Sequence, residues 1–111
     1  MSKKKLVIAL GILYVLFIFV YGYASVDIHE KTHKAIFAYH GCDNISITNK
    51  IFSGYTQCHS WSNDSTPELQ KEALRLNTEL DMSDYSLQFL TQLIVTMAAL
   101  IALLIILVMK E

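Results

Sequence analysis

Val26–Gly41, VDIHEKTHKAIFAYHG, is the stretch from which the rest of the chain is read. Stepped at about 100° per residue, it puts His33, Ile36, Val26, His40 and Phe37 within about 80° of His29. Lys31, Lys34 and Ala38 fall on the opposite side, so both His29 and His33 sit on the inward face. Asp27 and Glu30 stand at capping-box spacing and Gly41 suits a stop, which predicts a separate helix of about fourteen residues. His29-Glu30-Lys31-Thr32-His33 is an H-E-x-x-H pattern. Residues four apart stack on one helix face, so His29 and His33 offer two imidazole nitrogens to one metal ion, zinc first. Glu30 lies about 100° round the helix, where a general base for hydrolysis beside the metal belongs. The bland alternative is that Glu30 caps the helix and the histidines are packed core residues.

Outward from this stretch the chain is apolar on both sides. It has 111 residues, 53% of them hydrophobic, with a net charge of −1, which excludes a basic nucleic-acid surface. Lys3, Lys4 and Lys5 precede Leu6–Ala24, an uncharged apolar run of about nineteen residues, long enough to span a bilayer. Gly22-Tyr23-Ala24 also fits a signal-peptidase site, so a cleaved signal stands as the alternative to a retained anchor; the length of the run favours the anchor. Leu87–Met109 is a second run of spanning length. The lysine triplet predicts cytoplasmic N- and C-termini and an extracytoplasmic segment 25–86. Tyr14, Tyr21, Tyr23 and Phe89 are candidates for interfacial aromatics. In the second run Gln88, Gln92 and Thr96 form an i, i+4, i+8 stripe continuing into Ala99. Such a stripe packs on another helix, either the chain's own first span or a subunit of a larger membrane complex.

Between helix and second span, Cys42–Cys58 reads CDNISITNKIFSGYTQC. Ile45 and Ile47 alternate with Ser46 and Thr48, Asn49-Lys50 supplies a turn, and Ile51, Phe52, Tyr55 and Thr56 are strand formers. A hairpin with its apex near Lys50 puts Cys42 opposite Cys58, within disulfide reach, and an oxidising compartment makes that pairing the expectation. Both thiols on a metal is the weaker alternative, because neither has a C-x-x-C neighbour. Asn44-Ile45-Ser46 and Asn63-Asp64-Ser65 match glycosylation acceptor triplets. Ser65 and Glu68 then stand at capping-box spacing, with Pro67 at the first helical position. Leu69, Ala73, Leu76 and Leu80 predict one apolar face of an amphipathic helix. Glu72 and Glu79 fall on one flank of that face and are candidates for a third metal ligand.

Residues 29–33 resemble the zinc motif of zincin metallopeptidases, and a downstream helix carrying a glutamate is similar to the gluzincin arrangement. The resemblance implies that His29, His33 and Glu79 hold zinc, with Glu72 and His59 as alternatives to Glu79, and that Glu30 acts as base. The motif followed by a strand is also similar to small membrane zincin-like proteins and to the site-2 protease motif. The expected architecture is a membrane α+β protein. Two antiparallel transmembrane helices (6–24 and 87–109) flank a cap (25–86) of helix, disulfide-closed hairpin and amphipathic helix. The expected function is a zincin-like metal-binding protein of the cell membrane; if it is an enzyme, the expected reaction is zinc-dependent peptide hydrolysis near the outer membrane face. The alternative is a non-catalytic accessory subunit docking through Gln88, Gln92 and Thr96.

Overall fold

Nothing between Lys3 and Tyr39 forces a helix to end: the run has no proline, and Gly11 and Gly22 are its only glycines. The structure, a computed structural model describing residues 1–110, holds one continuous helix there, α1 (Lys3–Tyr39), capped by the Ser2 hydroxyl. The expected break after Ala24 is therefore absent, and so is the Asp27–Glu30 capping box. A capping box serves amides without helical partners, and the amides at Asp27 already have the carbonyls of the preceding turn. Asp27 instead pairs with Lys31 (2.9 Å) and accepts from Asn49 Nδ2 (2.8 Å).

α1 stops at Gly41, whose φ of +93° lies in the region that favours glycine. A Cβ there would stand 2.9 Å from Cβ of Ser65. The chain then turns back into β1 (Cys42–Asn49) and β2 (Gly54–Trp61), an antiparallel pair closed by Lys50 N–H donating to Ser53 C=O (2.7 Å). The disulfide joins Cys42 and Cys58 as expected, but not as direct cross-strand neighbours. Cys42 faces Trp61 and Ile45 faces Cys58, with irregularities on both sides of Asn44, and the bridge spans a Cα–Cα distance of 6.1 Å. Ile51 and Phe52, read as strand formers, make the turn instead.

The return helix α2 (Pro67–Val108) is also unbroken and absorbs both the amphipathic helix and the second apolar run. Its cap is Thr66, accepting from Leu69 N–H at 3.2 Å, with Pro67 at the first helical position. Ser65, expected to cap, donates to the carbonyl of His40 (2.8 Å) and ties this loop to the end of α1.

α1 and α2 run antiparallel for their whole length. Lys3 Nζ reaches the Leu107 carbonyl (3.1 Å), the Tyr14 and Thr96 hydroxyls meet at 2.8 Å, and His33 meets Asn77 at 2.6 Å. The result is a rod 71 Å long and 19 by 14 Å across. Both helices are long and apolar enough to cross a membrane. Of the polar stripe on α2, Thr96 bonds Tyr14 and Gln92 borders a small cleft with Tyr14, Phe17 and Ile18, so the stripe faces the chain's own first helix. Tyr14 lies in the middle of the first apolar run, facing α2. The only buried apolar side chains among the described residues are Phe37, Cys42 and Ala73, flanked by Ile36, Ile45, Cys58 and Trp61. They sit at the end of the rod away from the apolar runs. The interior between them and the runs is polar.

Candidate metal centre

Three donor atoms converge in that polar interior. His29 Nε2 and His33 Nε2 stand 2.9 Å apart, and each lies 2.7 Å from Oδ1 of Asp81. α1 supplies the imidazoles from successive turns of one face and α2 supplies the carboxylate, so the group forms only when the helices pair in this register. Both imidazoles are buried, whereas the Asp81 side chain is 43% exposed, which leaves the group open on one side.

The other ring nitrogens are also held. His29 Nδ1 lies 2.6 Å from Oδ2 of Asp84, and His33 Nδ1 lies 2.6 Å from Oδ1 of Asn77. Each oxygen accepts an Nδ1–H, which directs the Nε2 lone pairs of both rings towards Asp81. The Asn77 amide fits this arrangement. Its oxygen faces His33, while its buried Nδ2 finds no acceptor among the described residues and remains a spare donor in the cleft wall. Three lone-pair atoms at 2.7–2.9 Å repel unless protons or a cation stand among them.

Two imidazoles and a carboxylate are donors that suit zinc and neighbouring divalent ions. Ligands of a tetrahedral zinc ion stand about 3.3 Å apart, so seating one requires the three atoms to spread by about half an ångström. Asp81 is partly exposed and free to move that far, and the two imidazole nitrogens, 2.9 Å apart, must also part by about 0.4 Å. The residues fit the ion.

Electrostatics point the same way. Burial alone lowers the His29 pKa, but hydrogen bonds to Asp84 and Asp81 and the charges of both carboxylates outweigh it, and the pKa stands above its ordinary 6.5. The cradle attracts positive charge, and protons compete with a metal for it. The affinity of this group for a metal would accordingly fall as pH drops through that raised pKa.

Glu30 is buried beside the group and does not bond either imidazole. Its Oε2 accepts from the Thr56 hydroxyl at 2.5 Å, which ties the motif glutamate to β2. A cleft of about 200 Å³ brings Glu30, His33 and Asp81 together with the β2 residues Gly54, Tyr55 and Thr56. An extended strand thus borders the site, contributed by sequence after the motif.

The acid differs from expectation. Glu79 is exposed and bonds Arg75 (2.5 Å), as does Glu72 on the preceding turn. The Arg75 hydrogen bond, the larger influence, holds the Glu72 carboxyl below its usual range. His59 lies on the exposed side of the hairpin, 2.7 Å from the Ser46 hydroxyl. None of these three reaches the histidines, because the inward face of α2 runs through Ala73, Asn77, Asp81 and Asp84. It is rotated from the leucine face read in the sequence, which left Asp81, Asp84 and Asn77 unrecognised. A signal was present: Asn77, Asp81, Asp84 and Gln88 recur at i, i+4, i+7 and i+11, extending the Gln88/Gln92/Thr96 stripe backwards. No family model, curated protein or solved structure matches this chain.

Proposed function

We propose that this chain is a membrane-anchored metal-binding protein. His29, His33 and Asp81 hold a divalent ion, zinc foremost, and Glu30 equips the site for hydrolysis close to the outer face of the membrane. The observation that carries this reading is the meeting of His29 Nε2, His33 Nε2 and Asp81 Oδ1 within 2.9 Å, with both other ring nitrogens held by oxygen acceptors. The two long apolar helices support the anchoring, and the lysines at positions 3–5 support cytoplasmic termini with residues 25–86 outside.

When bound, the ion would supply a Lewis acid that makes water nucleophilic near neutral pH. The chain's own residues do the rest. Asp84 and the Asn77 oxygen fix the ring orientations of His29 and His33. Glu30, positioned by the Thr56 hydroxyl, is placed to take a proton on its carboxylate. The Asn77 Nδ2–H is available to a carbonyl oxygen entering the cleft. The resemblance of residues 29–33 to the zincin motif supports a peptide bond as the target. The accessory-subunit alternative draws less support, since Thr96 is engaged by Tyr14 of the same chain.

The test is metal content by mass spectrometry on protein purified in detergent without chelators, wild type beside His33→Ala, Asp81→Asn and Glu30→Gln. We expect about one ion per chain in the wild type and Glu30→Gln, and a loss in the other two. Absence of metal from the wild type sinks the reading. Equal loading of Asp81→Asn and wild type would remove Asp81 from the ligand set.

A further inference from the structure

We propose that the turn of the hairpin, residues 50–53, is seated in the interfacial layer of the bilayer, with Ile51 and Phe52 among the upper acyl chains. This rests on the membrane-spanning reading above. A turn of a water-facing hairpin is ordinarily polar, yet this one carries Ile51 and Phe52 at 50% and 59% exposure.

Its position explains them. From Gly41 the chain doubles back along α1, and eight strand residues cover about 26 Å. That matches the roughly 28 Å of helix from Gly41 down to Gly22. The Phe52 ring lies directly on Gly22, where an added Cβ would stand 2.8 Å from its Cδ1, and 5.4 Å from the Phe19 ring. Phe19 and Gly22 belong to the apolar run 6–24, so the turn lies level with the top of the span. Tyr23 and Tyr85, both exposed, stand near the same level, and Lys50 at the edge of the turn suits lipid phosphates. An apolar tip, a ring of aromatics and a flanking cation are the chemistry of a lipid interface. Lipid is therefore the occupant. Phe52, Ser53 and Gly54 also border the cleft containing His29 and Glu30, which places that mouth of the cleft at the lipid surface.

Depth-dependent quenching tests this. Single-tryptophan chains in a Trp61→Phe background are reconstituted in phosphatidylcholine–phosphatidylglycerol vesicles. These contain lipids brominated either near the top or deep in the acyl chain. Ile51→Trp and Phe52→Trp are expected to lose about half of their emission to the shallow bromolipid. Leu16→Trp should be quenched by the deep one, and Tyr39→Trp, at the far end of α1, by neither. Ile51→Trp guards against a larger ring at position 52 failing to fit over Gly22. Unquenched turn variants beside a quenched Leu16→Trp overturn the seating while the span stands. If their emission is also blue-shifted, protein rather than lipid covers the turn. An unquenched Leu16→Trp removes the membrane reading itself, and the seating with it.

Discussion

The same pair of helices packs in two ways along its length. In the apolar half, residues 6–24 against 87–109, Gly22 is the one buried residue, and the helix contacts include the single Tyr14–Thr96 side-chain hydrogen bond. An apolar gap of about 250 Å³ opens beside Gly11, Leu10 and Leu103. In the other half the helices close on His29, Glu30, His33 and Asn77, with Phe37 and Ala73 beyond. The apolar half presents leucine and isoleucine outward, as a membrane-spanning pair would. The polar half buries charge and amide groups where a soluble helix pair would place aliphatic side chains. Three buried apolar residues are too few to hold so small a unit together, and units of this size rely on cross-links or metals.

That contrast predicts an order of sensitivities. The largest effect belongs to the proposed metal. If the site binds zinc, then at free zinc about a thousandfold above the dissociation constant it would contribute about 4 kcal/mol to the polar half. Chelation or Asp81→Asn should therefore lower its melting temperature and open residues 67–86 to protease, while the helicity of the apolar half persists. An unchanged melting curve after chelation would show that the polar interior sustains itself. Next is the disulfide, which closes a loop with a sequence separation of 16. Replacing both cysteines by serine should destabilise the hairpin by about 3 kcal/mol, read by denaturation of paired oxidised and serine forms. Gly41→Ala follows at about 1–2 kcal/mol, since alanine must adopt the positive φ and approach Ser65. An unchanged denaturation midpoint would mean that the α1–β1 junction relaxes. Smallest is Tyr14→Phe, expected to weaken helix association by about 0.6 kcal/mol in a double-mutant cycle with Thr96→Val. A coupling of several times that size would reverse the contrast and make the apolar half the tightly specified one.

Much of the polar half was legible in the sequence, unevenly so. The histidine pair was placed inward because Ile36 and Phe37 flank it and lysines oppose it, and burial of both rings follows that pattern. The Cys42–Cys58 bridge was legible because alternation on either side of Asn49-Lys50 forces a hairpin. The third donor was missed for a physical reason. A hydrophobic-face template assumes that buried means apolar, so Asn77, Asp81 and Asp84 received no inward assignment. Only the facing histidines, contributed from elsewhere in the chain, make an inward placement of those groups favourable. The helix breaks were misread because Asp27 and Glu30 occur at cap spacing inside a helix as readily as at its start. What decides is whether the preceding residues leave amides free, and in α1 they do not.

Both helices pass from apolar run to donor set without a hinge, and His29 lies five residues, about 8 Å, beyond Ala24. Helices in a bilayer thinner or thicker than their apolar length respond by tilting. A flexible joint at the rim would absorb that tilt; rigid rods transmit it. If the apolar runs cross a membrane as proposed, the pair works like tongs whose handles lie in lipid and whose tips are His29, His33 and Asp81. A change in crossing angle among the acyl chains arrives at the tips as a change in spacing between nitrogen and oxygen atoms. On the proposed reading, the grip on a cation would be set in part by the thickness of the membrane below it.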